Sequence, residues 1–179
     1  MAIATSDIVL RLSTTAGSAG DSTASTAAAS LGKYVSSTVW AAGTNSLFDD
    51  ITGAENAAND VEYRCIFVLN NHATLTMLST VAYISSEVSG GASVALAADS
   101  TAISAKGSST AQALTVADEN TAPAGPLTYS SPTAVGTGIA LGDIPAGSVK
   151  AVWVRRTAAN SAALDSDGFT LGIGCDTAA

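Results

Sequence analysis

The chain is poor in everything large, charged or aromatic. Of its 179 residues only 12% are charged and 5% aromatic, with two cysteines and a single histidine. Each shortage excludes something. The seven basic residues are scattered, so no cluster stands ready to release counterions from phosphates, and no nucleic-acid partner is expected. His72 alone would have to carry any histidine-dependent acid–base work, and no nucleophile motif lies beside it. Cys65 and Cys175 are far apart and outside any CxxC or Cys/His spacing, which disfavours zinc. Both end apolar runs and read as small buried hydrophobes, with a disulfide between them as the alternative. No apolar run reaches the roughly 18 residues that a membrane span needs. The opening MAIATSDIVLRLS lacks the basic and apolar regions of a signal peptide, so assembly in a cytoplasm is expected.

What is abundant is Ala, Ser, Thr and Gly, with a net charge of −8. Small and β-branched residues suit thin sheets and tight turns, and alternation decides against helix. Asp7–Leu12 puts Ile8, Leu10 and Leu12 on one face. Lys33–Trp40 reads as a second strand, and Glu62–Asn70 as the strongest. There Tyr63, Cys65, Phe67 and Leu69 share one face and Ile66 and Val68 the other, which predicts a central strand covered on both sides. Asn70–Asn71–His72 reads as a turn returning into Thr74–Ser85 as an antiparallel partner. Ser93–Ala97, Ala113–Ala117 and Ile139–Leu141 are weaker strands, and Asp143–Gly147 is a turn. Val149–Arg155 sets Val149, Ala151 and Trp153 against Val152 and Val154, and Gly168–Cys175 places Phe169, Leu171, Ile173 and Cys175 on one face. One helical turn is expected at Ala54–Ala58.

The expected fold is a single all-β domain over 1–179, an antiparallel β-sandwich of jelly-roll or immunoglobulin-like Greek-key type. Two stretches, 13–30 and 118–138, hold small polar residues and read as long loops or extended arms. On the arm reading, deletion of 13–30 should spare folding and weaken attachment to a partner.

No catalytic, cofactor-binding or metal-ligating residue emerges. There is no GxSxG. Gly32–Lys33 lacks the earlier glycine of a P-loop (Ala27 stands there), and Gly136, Gly138 and Gly142 have the wrong spacing for a dinucleotide turn. Two acidic groups, Asp49, Asp50, Glu55, Asp60 and Glu62, and then Asp165 and Asp167, could offer oxygens to calcium. Neither follows an EF-hand spacing, and solvated loop carboxylates are the plainer reading. Arg155 and Arg156, the one adjacent basic pair, should point to opposite faces of their strand.

Four stretches carry a resemblance. LFDDITGAENAANDVEYRCIFVLNN (Leu47–Asn71), preceded by ASLGKYVSS (Ala29–Ser37), resembles a segment of structural proteins of tailed-bacteriophage virions. GDIPAGSVKAVWVRRT (Gly142–Thr157) and DGFTLGI (Asp167–Ile173) are similar to the turn, strand and basic pair near their C-termini. The resemblance implies a capsid decoration or cement protein on the virion surface. Its partner would be the major capsid protein, its state a homo-oligomer (trimer or dimer), and it would carry no catalytic residues. Other virion parts, such as a tail or head-fibre adaptor, and a host- or glycan-binding sandwich remain as alternatives.

Overall fold

The computed structural model describes residues 2–18, 22–164 and 166–177. The chain is an all-β sandwich of two antiparallel sheets, the larger curled into a half-barrel. In chain order the strands are β1 (Ile8–Thr14), β2 (Gly32–Val39), β3 (Val61–Asn70), β4 (Met77–Glu87), β5 (Ser93–Ala98), β6 (Ser104–Ala105), β7 (Gln112–Thr115), β8 (Ile139–Ile144), β9 (Ser148–Thr157) and β10 (Phe169–Thr177). The larger sheet runs β5-β9-β3-β1-β2-β7, with β6 beside β9, and the smaller runs β10-β4-β8.

The centre is β3 against β9, paired from Val61↔Thr157 to Leu69↔Val149 without a register break. Both strands are apolar on both faces because each face meets a separate core. Ile66, Val68, Val152 and Val154 pack towards the smaller sheet, with Met77, Ile84, Leu141 and Ile144 opposite. Cys65, Phe67, Leu69, Val149, Ala151 and Trp153 face into the half-barrel, where Val35, Ala97, Ala111, Ala113 and Val116 close over them. The faces expected for β1, β3, β9 and β10 are those observed. In β1, Ile8, Leu10 and Leu12 join the inter-sheet core, as do Phe169, Leu171, Ile173 and Cys175 of β10.

The half-barrel is closed by a carboxylate. Asp99, almost fully buried at the end of β5, accepts from Trp153 Nε1 at 2.7 Å, from the Leu114 amide of β7 at 2.9 Å and from the Thr101 amide at 2.7 Å. Lys150 adds donors to the carbonyls of Asp99 and Thr101. Opposite, Gly32 has φ +91, and a Cβ there would lie 1.9 Å from the Leu114 carbonyl oxygen. Only glycine lets β7 come that close to β2.

Several expectations need correction. β3 and β4 are not a hairpin pair; they lie in different sheets. Asn70 enforces the crossing: its buried side chain donates to the carbonyls of Leu75 and Ile144, both at 2.8 Å, which turns the chain across the core instead of back along β3. β8 runs on to Ile144, a fully buried residue, so the expected turn starts later, at Pro145. The short β6 was not foreseen. The cysteines cannot pair, because Cys65 faces into the half-barrel while Cys175 packs in the inter-sheet core; both are free.

The described parts of the two small-residue stretches do not extend away from the domain. Ser13 and Thr14 belong to β1. Where β1 stops pairing with β3 at Leu12, buried Ser30 takes over. Its backbone carbonyl accepts from the Cys65 amide, its hydroxyl donates to the Cys65 carbonyl at 2.6 Å, and the same hydroxyl accepts from the Ser13 amide. Thr23 and Ser25 bond along β2, to Ser37 and Thr38. Residues 19–21 lie outside the described residues. In the second stretch, Ser130 exchanges both backbone bonds with Leu96 of β5, and the Pro132 carbonyl accepts from the Ile84 amide of β4. This loop therefore ties one sheet to the other. Deleting 13–30 would remove bonds of the core, so the expected sparing of folding does not follow.

Two stability outcomes check this account. Trp153→Ala should cost ~3–5 kcal/mol in urea unfolding, since it empties the centre of the half-barrel. Asp99→Ala, which deletes little volume but orphans one buried and two partly buried donors, should cost about 3 kcal/mol. A near-wild-type midpoint for the second variant would mean that Asp99 does not hold the barrel shut.

Candidate functional site

The described structure gathers one side-chain cluster with the ingredients of a site, at the Val61–Thr157 end of the central strands. Its floor is set by sequence. The segment before the short helix α1 (Gly53–Ala58) carries Leu47 and Phe48 inwards, both buried, and leaves Asp49 and Asp50 exposed. α1 itself starts on a capping box. Thr52 Oγ1 accepts from the Glu55 amide, and the Glu55 carboxylate accepts from the Thr52 amide, which holds that carboxyl below its usual range. The helix ends on Asn59 in the left-handed region. Glu55 is thus used locally, and the expected helical turn is present.

Phe48 lies between two guanidiniums, with Arg156 Cζ 4.7 Å and Arg64 Cζ 5.6 Å from its ring centroid. Arg64, nearly inaccessible, pairs with Glu119 and donates to the Leu47 carbonyl. Arg156 pairs with Glu62 and donates through Nε at 2.5 Å, while a second nitrogen lies 3.5 Å from Asp49. Asp49, Glu62 and Glu119 converge closely enough to hold a cation. Two arginines already engage their oxygens, so the cluster is an ion-pair network of three carboxylates and two guanidiniums. Of the carboxylates expected to gather, Asp49 and Glu62 do. Asp60 instead accepts from Asn120 and from its neighbour's amide, and Asp50 stays exposed. Glu119 was missed, being one acid inside a loop that reads as solvent-facing.

In the second acidic group, Asp165 lies outside the described residues. Asp167 accepts from the Ala92 amide at 2.7 Å and its carboxylate sits where a Cβ on Gly91 would be, so it clamps the turn before β5. His72 is likewise spent on structure: its Nδ1 accepts from the amides of Thr74 and Leu75 within the crossing from β3 to β4.

Beside the ion-pair network runs a groove of about 690 Å³ between residues 40–53 on one side and residues 159–164 and 166–169 on the other. Trp40 and Phe169 meet there with ring centroids 6.3 Å apart, and Trp40 Nε1 donates to Ser46. One wall, 159–164, is Ala, Asn, Ser and Leu, anchored by paired bonds between Asn56 and Ser161. Nothing in its composition marks it as a wall. No described helix is long and apolar enough to cross a membrane.

Glu62 has a testable signature. Burial, the larger influence, raises its carboxyl above the ordinary 4.5, and Arg156 only partly pulls it back. A carboxyl held above its unfolded value binds its proton more tightly when folded, so its contribution to stability falls as pH rises from 4.5 through the raised value. In urea unfolding from about pH 4 to about pH 7, the stability of wild type minus that of Glu62→Gln should therefore decline with pH. A difference independent of pH would mean that no proton is retained at Glu62.

No protein-family model matches the chain, and neither does any curated protein or solved structure.

Proposed function

We propose that this chain is a structural protein of a tailed-bacteriophage virion, a decoration or cement protein that binds the major capsid protein on the outside of the head and stabilises it. One observation carries the reading. The separate stretches that bear the resemblance, Leu47–Asn71 and Gly142–Thr157, meet in space as a single unit. The first supplies Phe48, Asp49, Glu62 and Arg64, the second supplies Arg156, and the strands that carry them pair directly at Glu62↔Arg156. A shared pattern whose distant parts interlock is a structural unit, and chance similarity of composition does not require that. The stretch Asp167–Ile173 brings Phe169 to the neighbouring groove.

The architecture suits such a task. Each strand of the smaller sheet is entered from the larger sheet and, for β4 and β8, returns to it. The sheets therefore cannot part without breaking the links between them. A surface net charge of −8 discourages contact with packaged nucleic acid. Many weakly held copies, as dimers or trimers, would reinforce a shell through multivalent attachment.

A second reading follows from the groove. Trp40 beside Asn45 and Ser46 offers a ring and polar groups of the kind that hold a saccharide, so a glycan-binding module is the alternative. Purified protein mixed with undecorated phage heads separates the two. Saturable attachment to heads, with a higher disruption temperature, is expected. Attachment to tails alone, or a glycan-array signal abolished by Trp40→Ala with no attachment to heads, would overturn the capsid reading.

A further inference from the structure

Arg155 and Arg156 are chemically identical neighbours with opposite surroundings. Alternation along β9 sends Arg156 into the ion-pair network and Arg155 to the mouth of the half-barrel. Among the described arginines, Arg64 and Arg156 have carboxylates and Arg11 donates to the Ser36 carbonyl. Arg155 has no oxygen acceptor. What it has is a tyrosine: its Cζ stands 4.9 Å from the Tyr129 ring centroid, and Tyr63, its register partner on β3, meets Tyr129 edge-on at 5.8 Å. On the other side lies Ala95, too small to interfere.

Two polar atoms here are buried without a partner, Arg155 Nε and the Tyr129 hydroxyl. Burial, with Tyr63 beside it, pushes the Tyr129 phenol up, so it stays a protonated donor. Arg155 is half-buried, and its terminal nitrogens, unlike Nε, are not among the buried unpartnered atoms. The guanidinium is thus fixed in place from behind and unsatisfied in front. A stacked, preorganised arginine loses little freedom on binding and matches a carboxylate's two oxygens. Tyrosine and arginine together are also the residues that most often dominate protein interfaces.

We infer that Arg155, backed by Tyr129 and Tyr63, is a docking point for an aspartate or glutamate side chain of a partner protein. The occupant follows from charge. Among the described residues Arg155 has no carboxylate within ion-pair distance, although the chain carries 15 carboxylates of its own. The inference deepens the capsid reading, since it says what the shell would present, but it can be tested without a shell.

The test titrates full-length protein with the blocked peptide Gly-Glu-Gly and with Gly-Gln-Gly, following the arginine Nε–H and tyrosine ring signals by NMR at constant ionic strength. Arg155→Lys supplies the assignment, and the melting temperature of Arg155→Gln checks folding. The Glu peptide should give saturable shifts at Arg155, Tyr129 and Tyr63, and the Gln peptide should bind roughly tenfold more weakly or not at all. In Arg155→Gln, still folded, the tyrosine shifts should vanish. Equal response to the two peptides, the same shifts from sodium chloride, or persistence of tyrosine shifts in Arg155→Gln would each overturn the docking point. On heads, attachment by wild type with a roughly tenfold loss in Arg155→Gln supports it, and unchanged attachment overturns it. If wild type binds no heads, the capsid reading falls and the peptide titration alone decides the docking point.

Discussion

Everything in this molecule is arranged about the pairing of β3 with β9. A ladder buried on both faces must supply apolar side chains in both directions, and these two strands do so with Ile66, Val68, Val152 and Val154 on one side and Cys65, Phe67, Ala151 and Trp153 on the other. Two cores then share one backbone. Loss of register between β3 and β9 would exchange the two sets of side chains, so the ladder fixes the inter-sheet core and the half-barrel at once. The functional candidates sit at its far end, where the strands run out of apolar residues and place Glu62, Tyr63, Arg64, Arg155 and Arg156 in register.

Away from that ladder the chain solves its packing with small polar groups, as its composition demands. With few large side chains, the half-barrel is closed by hydrogen bonds where other proteins would use bulk. Asp99 joins β5, β7 and β9, and Ser13, Ser30 and Ser36, all fully buried, connect β1, β2 and β3 through hydroxyls. Such bonds are individually modest but costly to orphan once buried. A serine-rich segment that looks like linker can therefore be structural when its hydroxyls and amides complete another strand's ladder. Ser30, standing in for the missing end of β1, is the clearest case.

That explains what could be read from the sequence and what could not. Alternation is a local property, so the facing of residues in β1, β3, β9 and β10 was legible, as was the divergence of Arg155 and Arg156. Pairing is not local. The link after Asn70 looks like a hairpin turn, and nothing nearby says that Asn70 will bond to Ile144, whose carbonyl is 74 residues away along the chain. The site was legible by half. Asp49 and Glu62 stand in a visibly acidic stretch, whereas Glu119 arrives from a loop with no pattern, and the groove wall at 159–164 has none either. The tyrosine behind Arg155 comes from that same patternless loop.

The two arginines show why facing matters more than composition here. The loop bearing Asp49 crosses the sheet on the inter-sheet side, and Asp49, Glu62 and Glu119 are spent on Arg64 and Arg156, with Phe48 between them. On the opposite face the same ladder offers tyrosines. Acids are not scarce in this chain; they outnumber bases by 15 to 7. An arginine left without one, at the rim and stacked on Tyr129, is a local arrangement, made by the register Tyr63↔Arg155 and by the loop that delivers Tyr129. The ladder thus presents two outcomes of one dipeptide: Arg156, a charge that locks the domain internally, and Arg155, a charge set against a tyrosine with no carboxylate beside it.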